Sequence, residues 1–386
     1  MHPTEITQLL SRLIAFDTTS RNSNLELIAF VETFLSERGV TSKRIPSPDA
    51  TKANLIATIG PQDVPGYVLS AHTDVVPVDD QAWSSDPFQA VIRDKHLYGR
   101  GACDMKGFLA SVLANVDRFA AAPLKKPIHL AFSYDEEIGC IGARDIVAEM
   151  AEWPVRPAAC FVGEPTCMEV IVAHKAKRSL RVTVRGRTAH SSLAPHAVNA
   201  VEYAARLIVH INEVGRRLAA SGLRDDLFDV PVTTSHVGRI AGGVQLNIVP
   251  DTCTFDFEFR ALPQDDADAL VREVKAFAAD VLEPEMQAVA PEAGIAFETI
   301  SAFPGLDTHA EDPVTVLAKA LSGRNSHAKV AYGTEAGLFS GIAGIPTIVC
   351  GPGSIEQAHK ADEFIALEQL ERCDQFLRNL TDHACR

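Results

Sequence analysis

The sequence predicts an α/β protein: a largely parallel sheet flanked by helices, with a smaller βαββαβ domain inserted into it. Three observations support that class. Short apolar runs of strand length recur along the chain, each ending in glycine, proline or acidic positions. Helical patterns separate these runs. Between residues 179 and 302 the pattern changes to strands that alternate apolar and polar residues, as half-exposed strands do.

The elements follow in order. MHPTEITQLLSRLIAFD reads as a short amphipathic helix. It lacks a basic segment followed by a long apolar core, so no secretory signal is expected there. GYVLSAHTD (66–74) is the first of four strand-length apolar runs that carry the argument; IHLAFSYDEE (128–137), ACFVGEPT (159–166) and PTIVCGPGS (346–354) are the others. A helix is expected over 105–121, MKGFLASVLANVDRFAA, opened by the glycine-rich turn GRGACD. Nearly continuous apolar strands alternating with helices indicate a sheet buried on both faces. In the insertion, RSLRVTVRGR is followed by a helix, two strands (TTSHVGRIAGG and CTFDFEFRA), a second helix and a last strand, GIAFETISA. That order is a ferredoxin-like, split βαβ unit. The expected domains are therefore 1–178 with 303–386, and 179–302.

The chain has 386 residues, 46% hydrophobic and 22% charged, with a formal net charge of −14. Such a balance argues against nucleic acid or an anionic membrane surface as the main partner. No apolar run reaches the roughly 18 residues that a membrane span requires. Eight cysteines without a CxxC pair suggest reduced thiols and a cytoplasmic setting. Cys103 reads as a small packed residue.

Ligands of an open α/β sheet collect beyond the carboxyl ends of its strands. His72 and Asp74 follow the first run, Glu136 and Glu137 the second, and Glu164 the third; His359 lies in a loop past the fourth, and Asp104 in GRGACDMKG. Taken singly, a histidine after a strand is an ordinary hydrogen-bonding loop residue, and a strand-end aspartate is a cap or turn former. There is neither a GxxxxGK[ST] phosphate loop nor a GxSxG elbow. Recurrence at several separate strand ends is the informative signal. That many converging carboxylates repel each other unless a cation joins them. Mixed histidine and carboxylate ligands suit zinc, with cobalt or manganese possible. Side chains alternate along an extended segment, so the neighbours Glu136 and Glu137 are expected to point to different tasks.

The segments SAHTDVVPV, GRGACDMKG, SYDEEIGCIGA, VGEPT, GRTAHSS and the late His359 resemble, over nearly the whole chain and in order, a family of zinc-dependent amidohydrolases and metallopeptidases. That family includes acetylornithine deacetylase, succinyl-diaminopimelate desuccinylase and glutamate carboxypeptidases. The resemblance implies a zinc-exopeptidase-like catalytic domain holding two Zn2+, with Co2+ as a possible substitute. It implies His72 and Glu164 on one ion, Glu137 and His359 on the other, and Asp104 bridging both. Asp74 would hydrogen-bond the far nitrogen of His72, and Glu136 would serve as general base and then acid. The Asp104–Met105 peptide would be cis. His190 would stabilise the oxyanion, supplied across a homodimer through the inserted domain, which would also close over the substrate. Arg260 and Asn247 match positions that bind the substrate carboxylate.

The segment AYGTEAGLF resembles the members that cleave N2-acetyl-L-ornithine to ornithine and acetate, a step of arginine biosynthesis; desuccinylases tend to carry a GTSD-like stretch. Another N-acyl amino acid or a C-terminal glutamate substrate is the alternative within the family. A fold-retaining binding protein is the alternative outside it, although such relatives would be expected to lose ligands or the base. Glu335 is expected either near the substrate's side-chain ammonium, or orienting a loop or supporting a metal ligand. Cys103 and Cys140 stand where small residues are common, and His174 and Lys175 receive no role.

Overall fold

The computed structural model describes residues 5–386, so the first four residues of the N-terminal helix expectation lie outside the described span. The helix itself covers Glu5–Ile14, with Leu9, Leu10, Leu13 and Ile14 buried. The chain forms two compact units. The larger comprises Met1–Ala173, Leu306–Lys329 and Thr334–Arg386, and the smaller His174–Gly305 with Val330–Gly333. The insertion expected over 179–302 lies within the smaller unit.

The strands before the smaller unit are β1 (Ser42–Pro46), β2 (Ala53–Ile59), β3 (Tyr67–His72), β4 (Val91–Arg93), β5 (His96–Tyr98), β6 (Ile128–Ser133), β7 (Ala159–Pro165) and β8 (Ile171–His174). The smaller unit carries β9 (Ala176–Arg185), β10 (Thr234–Gly242), β11 (Thr252–Ala261) and β12 (Gly294–Phe303). The chain then adds β13 (Leu306–Asp307), β14 (Ala328–Val330), β15 (Thr347–Gly351) and β16 (Phe364–Ala366).

The main sheet runs β1-β2-β6-β3-β7-β15-β8-β13, with β14 paired to β8. Its centre, β6-β3-β7-β15, is parallel, and β1, β2 and β8 join antiparallel at the flanks. The parallel centre is as the apolar runs require: every residue of β3, β6, β7 and β15 is buried. Helices Glu5–Ile14, Leu25–Ser36, Lys106–Ala114 and Leu367–Ala384 share the main core with these strands. Lys106–Ala114 has buried residues all around its surface, the mark of a helix enclosed in a core. The single helix expected over 105–121 is split in two, because Asn115 turns its amide back to the carbonyl of Ser111 at 3.0 Å and breaks the ladder.

In the smaller unit the sheet order is β10-β11-β9-β12, antiparallel throughout, the arrangement of a ferredoxin-like βαββαβ fold. β11 alternates buried and half-buried residues, matching the period-2 pattern of CTFDFEFRA. Asn199 caps its first helix, Ala200–Ser221, by accepting from the N–H groups of Val201 and Glu202. Asp266 does the same for Ala267–Phe277. No helix among the described residues is long and apolar enough to cross a membrane.

Candidate metal centre

At the carboxyl ends of β3, β6 and β7 the main sheet runs out into short turns, and the acids and histidines lie there. His72 is the last residue of β3 and is fully buried. Its Nδ1 donates to the backbone carbonyl of Asp74 at 2.9 Å, which leaves Nε2 free to face inward. That Nε2 lies 3.1 Å from Asp104 Oδ1 and 3.9 Å from Glu164 Oε2. On the other side, His359 Nε2 lies 3.2 Å from Asp104 Oδ2 and 3.1 Å from Glu137 Oε2. Each oxygen of the Asp104 carboxylate thus faces a different imidazole. Ligand atoms around a tetrahedral zinc lie about 3.3 Å apart, so these separations suit a shared cation on each side.

The GRGACD turn delivers Asp104. Gly101 has φ +80, and a Cβ there would stand 2.7 Å from Val75 Cγ1, so the turn needs glycine on both counts. The Asp104–Met105 peptide is cis.

The charges do not balance within the protein alone. Burial pushes Glu136 up to about 8, with the charges of Glu137, Asp104 and Asp74 adding to it against His72. Burial and then Asp104 push Glu137 up to about 7, and the same two causes raise Glu164 well above its ordinary range. His359 is raised to about 10 by its contacts with Asp104 and Glu137. Burial disfavours charge on His72, but Asp104, Glu164 and Asp74 outweigh it and hold the imidazole well above its usual value. Burial likewise opposes charge on Asp104, yet the two imidazoles hold its carboxyl below the ordinary carboxylate range. A cluster that must share protons in this way is one that dications would relieve. One further atom fits: Glu137 Oε1 is buried with no hydrogen-bond partner among the described residues. The donor set of two imidazoles and several carboxylates is suited to two metal ions. His72, Glu136 and Glu164 each offer a ligand atom within 4.8 Å of the others, and so do His72, Asp104 and Glu137. Glu136 is therefore in the cluster and not merely beside it.

Three sequence-derived placements need correction. Asp74 does not hydrogen-bond His72 through its carboxylate, which stays 3.6 Å from Nδ1; its backbone carbonyl does so instead. The carboxylate is drawn away by the N–H groups of Glu136 and Glu137, at 3.0 and 3.3 Å, and by Ser20 Oγ at 2.7 Å. Asp74 thus holds the backbone of the paired glutamates. Second, Glu136 and Glu137 are not on an extended segment. β6 ends at Ser133, Asp135 has φ +54, and the carbonyl of Glu136 accepts from Gly139 and Cys140 in a tight turn. The turn, and not strand alternation, separates their side chains. Third, Glu335 is fully buried, accepting from Ser70 Oγ at 2.6 Å and Ser133 Oγ at 2.7 Å. These serines lie on β3 and β6, so Glu335 supports the sheet below the cluster and does not face a ligand. Burial raises its pKa, with the two serine hydroxyls opposing.

His190, Asn247 and Arg260 belong to the smaller unit. His190 is exposed, and its Nδ1 accepts from the N–H of Ser192 at 3.2 Å. With Nδ1 accepting, Nε2 is the ring nitrogen left to donate. The exposed Asn247 is its neighbour, accepting from Ser191 N–H through its carbonyl at 2.9 Å. Arg260, on β11, is half-buried and pairs with Glu258 at 3.0 Å. Sequence reading missed Ser20 and Lys52. Lys52 bonds both Asp135 and the carbonyl of Ser20, tying the acidic turn to the N-terminal segment. Neither residue lies in a motif that would have marked it. Cys103 is buried as expected, while the Cys140 thiol lies 3.2 Å from Glu136 Oε1.

The family model of peptidase family M20/M25/M40 matches residues 68–383. A curated relative from Photorhabdus laumondii, named acetylornithine deacetylase, is 32% identical over 372 residues, covering 96% of this chain and 93% of its own. The fold is shared with an M20 family metallo-carboxypeptidase from Sulfolobus solfataricus, with a TM-score of 0.78 and 17% identity over 99% of this chain and 100% of that one. It is also shared with a dinuclear metal-binding M20 peptidase from Bacillus subtilis, with a TM-score of 0.65 and 17% identity over 97% and 96% of the two chains. Motif order, fold and near full-length similarity agree with the chemistry of the cluster, and the chain belongs to peptidase family M20/M25/M40 as a metal-dependent amide hydrolase.

Proposed function

We propose that this enzyme removes the acetyl group of N2-acetyl-L-ornithine, releasing L-ornithine and acetate as a step of arginine biosynthesis. The observation that carries the chemistry is the Asp104 carboxylate, whose two oxygens each face a different imidazole. The name of the 32%-identical relative, together with the GTEAG segment, supports the substrate.

In this reading two Zn2+, with Co2+ as a possible substitute, would be held by His72, Glu164 and Asp104 on one side and by Asp104, Glu137 and His359 on the other. When bound, such a pair polarises the amide carbonyl and makes a water acidic near neutral pH. Glu136 takes a proton from the attacking water as its oxygen bonds the acetyl carbon. It then passes that proton to the departing α-amine as the C–N bond breaks. Burial raises the proton affinity of the Glu136 carboxyl above that of an exposed glutamate, which suits a group that takes up a proton and then returns it. Asp74 holds the backbone of Glu136 and Glu137 through both peptide N–H groups and so fixes the turn that presents them.

The smaller unit supplies the remaining roles. His190 donates Nε2–H to the developing oxyanion across a homodimer formed through this unit, which closes over the substrate. Arg260 and Asn247 bind the substrate carboxylate, a guanidinium fork being matched to that group. The enzyme works in the cytoplasm on a small-molecule N-acyl amino acid, with neither nucleic acid nor membrane as a partner.

A hydrolysis panel tests the reading: N-acetylornithine, N-succinyl-diaminopimelate, N-acetylmethionine and a glutamyl dipeptide, each with and without chelator. N-acetylornithine should give the highest kcat/KM, and chelation should abolish turnover. A higher kcat/KM on another member of the panel would reassign the substrate. Activity surviving full metal removal would refute the mechanism.

A further inference from the structure

The buried pair Arg100 and Glu363 has no part in the chemistry above, yet it touches both segments that present the His359 side of the cluster. Both side chains are almost completely enclosed. Glu363 Oε1 accepts from the peptide N–H groups of Cys103 at 3.0 Å and of Asp104 at 3.1 Å. Its Oε2 accepts from the N–H of Gly101 at 3.0 Å and from Arg100 Nη1 at 2.8 Å. Four donors fill the two oxygens of one carboxylate, about all that such a group accommodates. The placement is enforced from outside, because β16 pairs with β5, setting Phe364 against Tyr98, and the carbonyl of Glu363 accepts from Gly99 N–H.

Arg100 reaches the other way. Nη1 also donates to the carbonyl of Lys360 at 3.2 Å, and Nη2 donates to Gln81 Oε1. The amide of Gln81 in turn donates to the carbonyl of His359 at 3.1 Å. The backbone of Asp104 and that of His359 are therefore held by one ion pair. His72 and Glu164, by contrast, are held by β3 and β7 themselves.

We propose that Glu363 and Arg100 are positioning residues that set the distance between Asp104 and His359, and so the affinity of the metal site those two residues share with Glu137. This inference rests on the two-metal reading above and adds a division within it. One site is built on sheet strands, and the other on a turn and a loop that this ion pair clamps together. Glutamine at position 363 keeps the shape but offers one acceptor oxygen, so two of the four donors lose their partner.

The test is a stepwise zinc titration of the full chain stripped of metal, against a competing chromophoric chelator, with the melting temperature of the metal-free protein measured alongside. For E363Q one of the two zinc affinities should fall by about 10- to 100-fold, the usual cost of losing an outer partner of a metal site, while the other changes several-fold less. Q81A, which leaves the Arg100–Glu363 contact in place but removes the link to His359 and the acceptor of Arg100 Nη2 and Trp83 Nε1, should weaken the same site by a smaller factor and lower the melting temperature less than E363Q does. Two unchanged affinities in E363Q, or two lowered equally, would overturn the proposal, the first leaving only a structural role for the pair. If E363Q does not fold, an unchanged titration of Q81A overturns it alone. A wild-type chain that binds fewer than two zinc ions would instead count against the two-metal reading itself.

Discussion

The larger unit's acid cluster and the smaller unit's candidate residues are held in opposite ways. His72, Asp104 and Glu164 are buried, and the Glu136–Glu137 turn is held by the buried Asp74 and tied down through Lys52. His190 and Asn247 are exposed, and Arg260 is half-buried and pairs with Glu258, two residues away on its own strand. The fold over-determines the first group and leaves the second to be organised by whatever binds. Substitutions in the two regions should therefore separate activity from stability.

The largest separation is expected at His190. H190A removes the donor proposed for the oxyanion and should lower kcat by about 10²- to 10³-fold. Its metal content and thermal midpoint should match wild type, because among the described residues the side chain bonds only to Ser192. A variant that lost metal or stability along with activity would erase the contrast between the regions.

His129 tests the opposite behaviour inside the larger unit. It is buried beside Trp153 and Thr58, and burial pushes its pKa down to about 4. The unfolded chain, titrating near 6.5, binds the proton more readily than the folded one between those two values. Its contribution is thus fully present above pH 6.5 and is lost as the pH falls toward 4. Denaturant unfolding at pH 7.5 and pH 5 should differ by about 2 kcal/mol more in wild type than in H129Q. Equal pH dependence in the two proteins would remove the histidine from this role.

The smallest effect is expected at Glu335, buried under the cluster. In E335Q the serine hydroxyls of Ser70 and Ser133 can turn to match an amide, so stability should change by no more than about 1 kcal/mol. The preference for acetylornithine over acetylnorvaline should persist. A lost preference would put Glu335 in contact with the substrate's ammonium after all, against its burial.

Much of this was legible in the sequence, for identifiable reasons. Apolar runs long enough to bury on both faces pointed to a largely parallel central sheet, and their ends carried the chemistry. The alternating pattern of CTFDFEFRA marked a separate, half-exposed sheet. What failed were inferences about side-chain direction. Asp74 lies two residues after His72, a spacing that suggested a carboxylate–imidazole bond, but the peptide carbonyl is nearer and the carboxylate has two N–H donors to satisfy. The separation of Glu136 from Glu137 was assigned to strand geometry, whereas a turn with a positive φ at Asp135 produces it. Glu335 was placed at the substrate because AYGTEAGLF resembles the deacetylases, and its burial depends on serines more than 200 residues earlier in the chain. Long-range pairing of this kind, like the Lys52–Asp135 contact, leaves no local signal.

The central claim is that adjacent glutamates divide two tasks, Glu137 holding metal and Glu136 moving a proton. Metal content and turnover measured together on E136A test it most directly, because Glu136 also lies within ligand distance of His72 and Glu164. The expected result is two metal ions per chain, as in wild type, with kcat lower by about 10²- to 10⁴-fold. An E136A protein that loses an ion, or that turns over substrate at the wild-type rate, would contradict it.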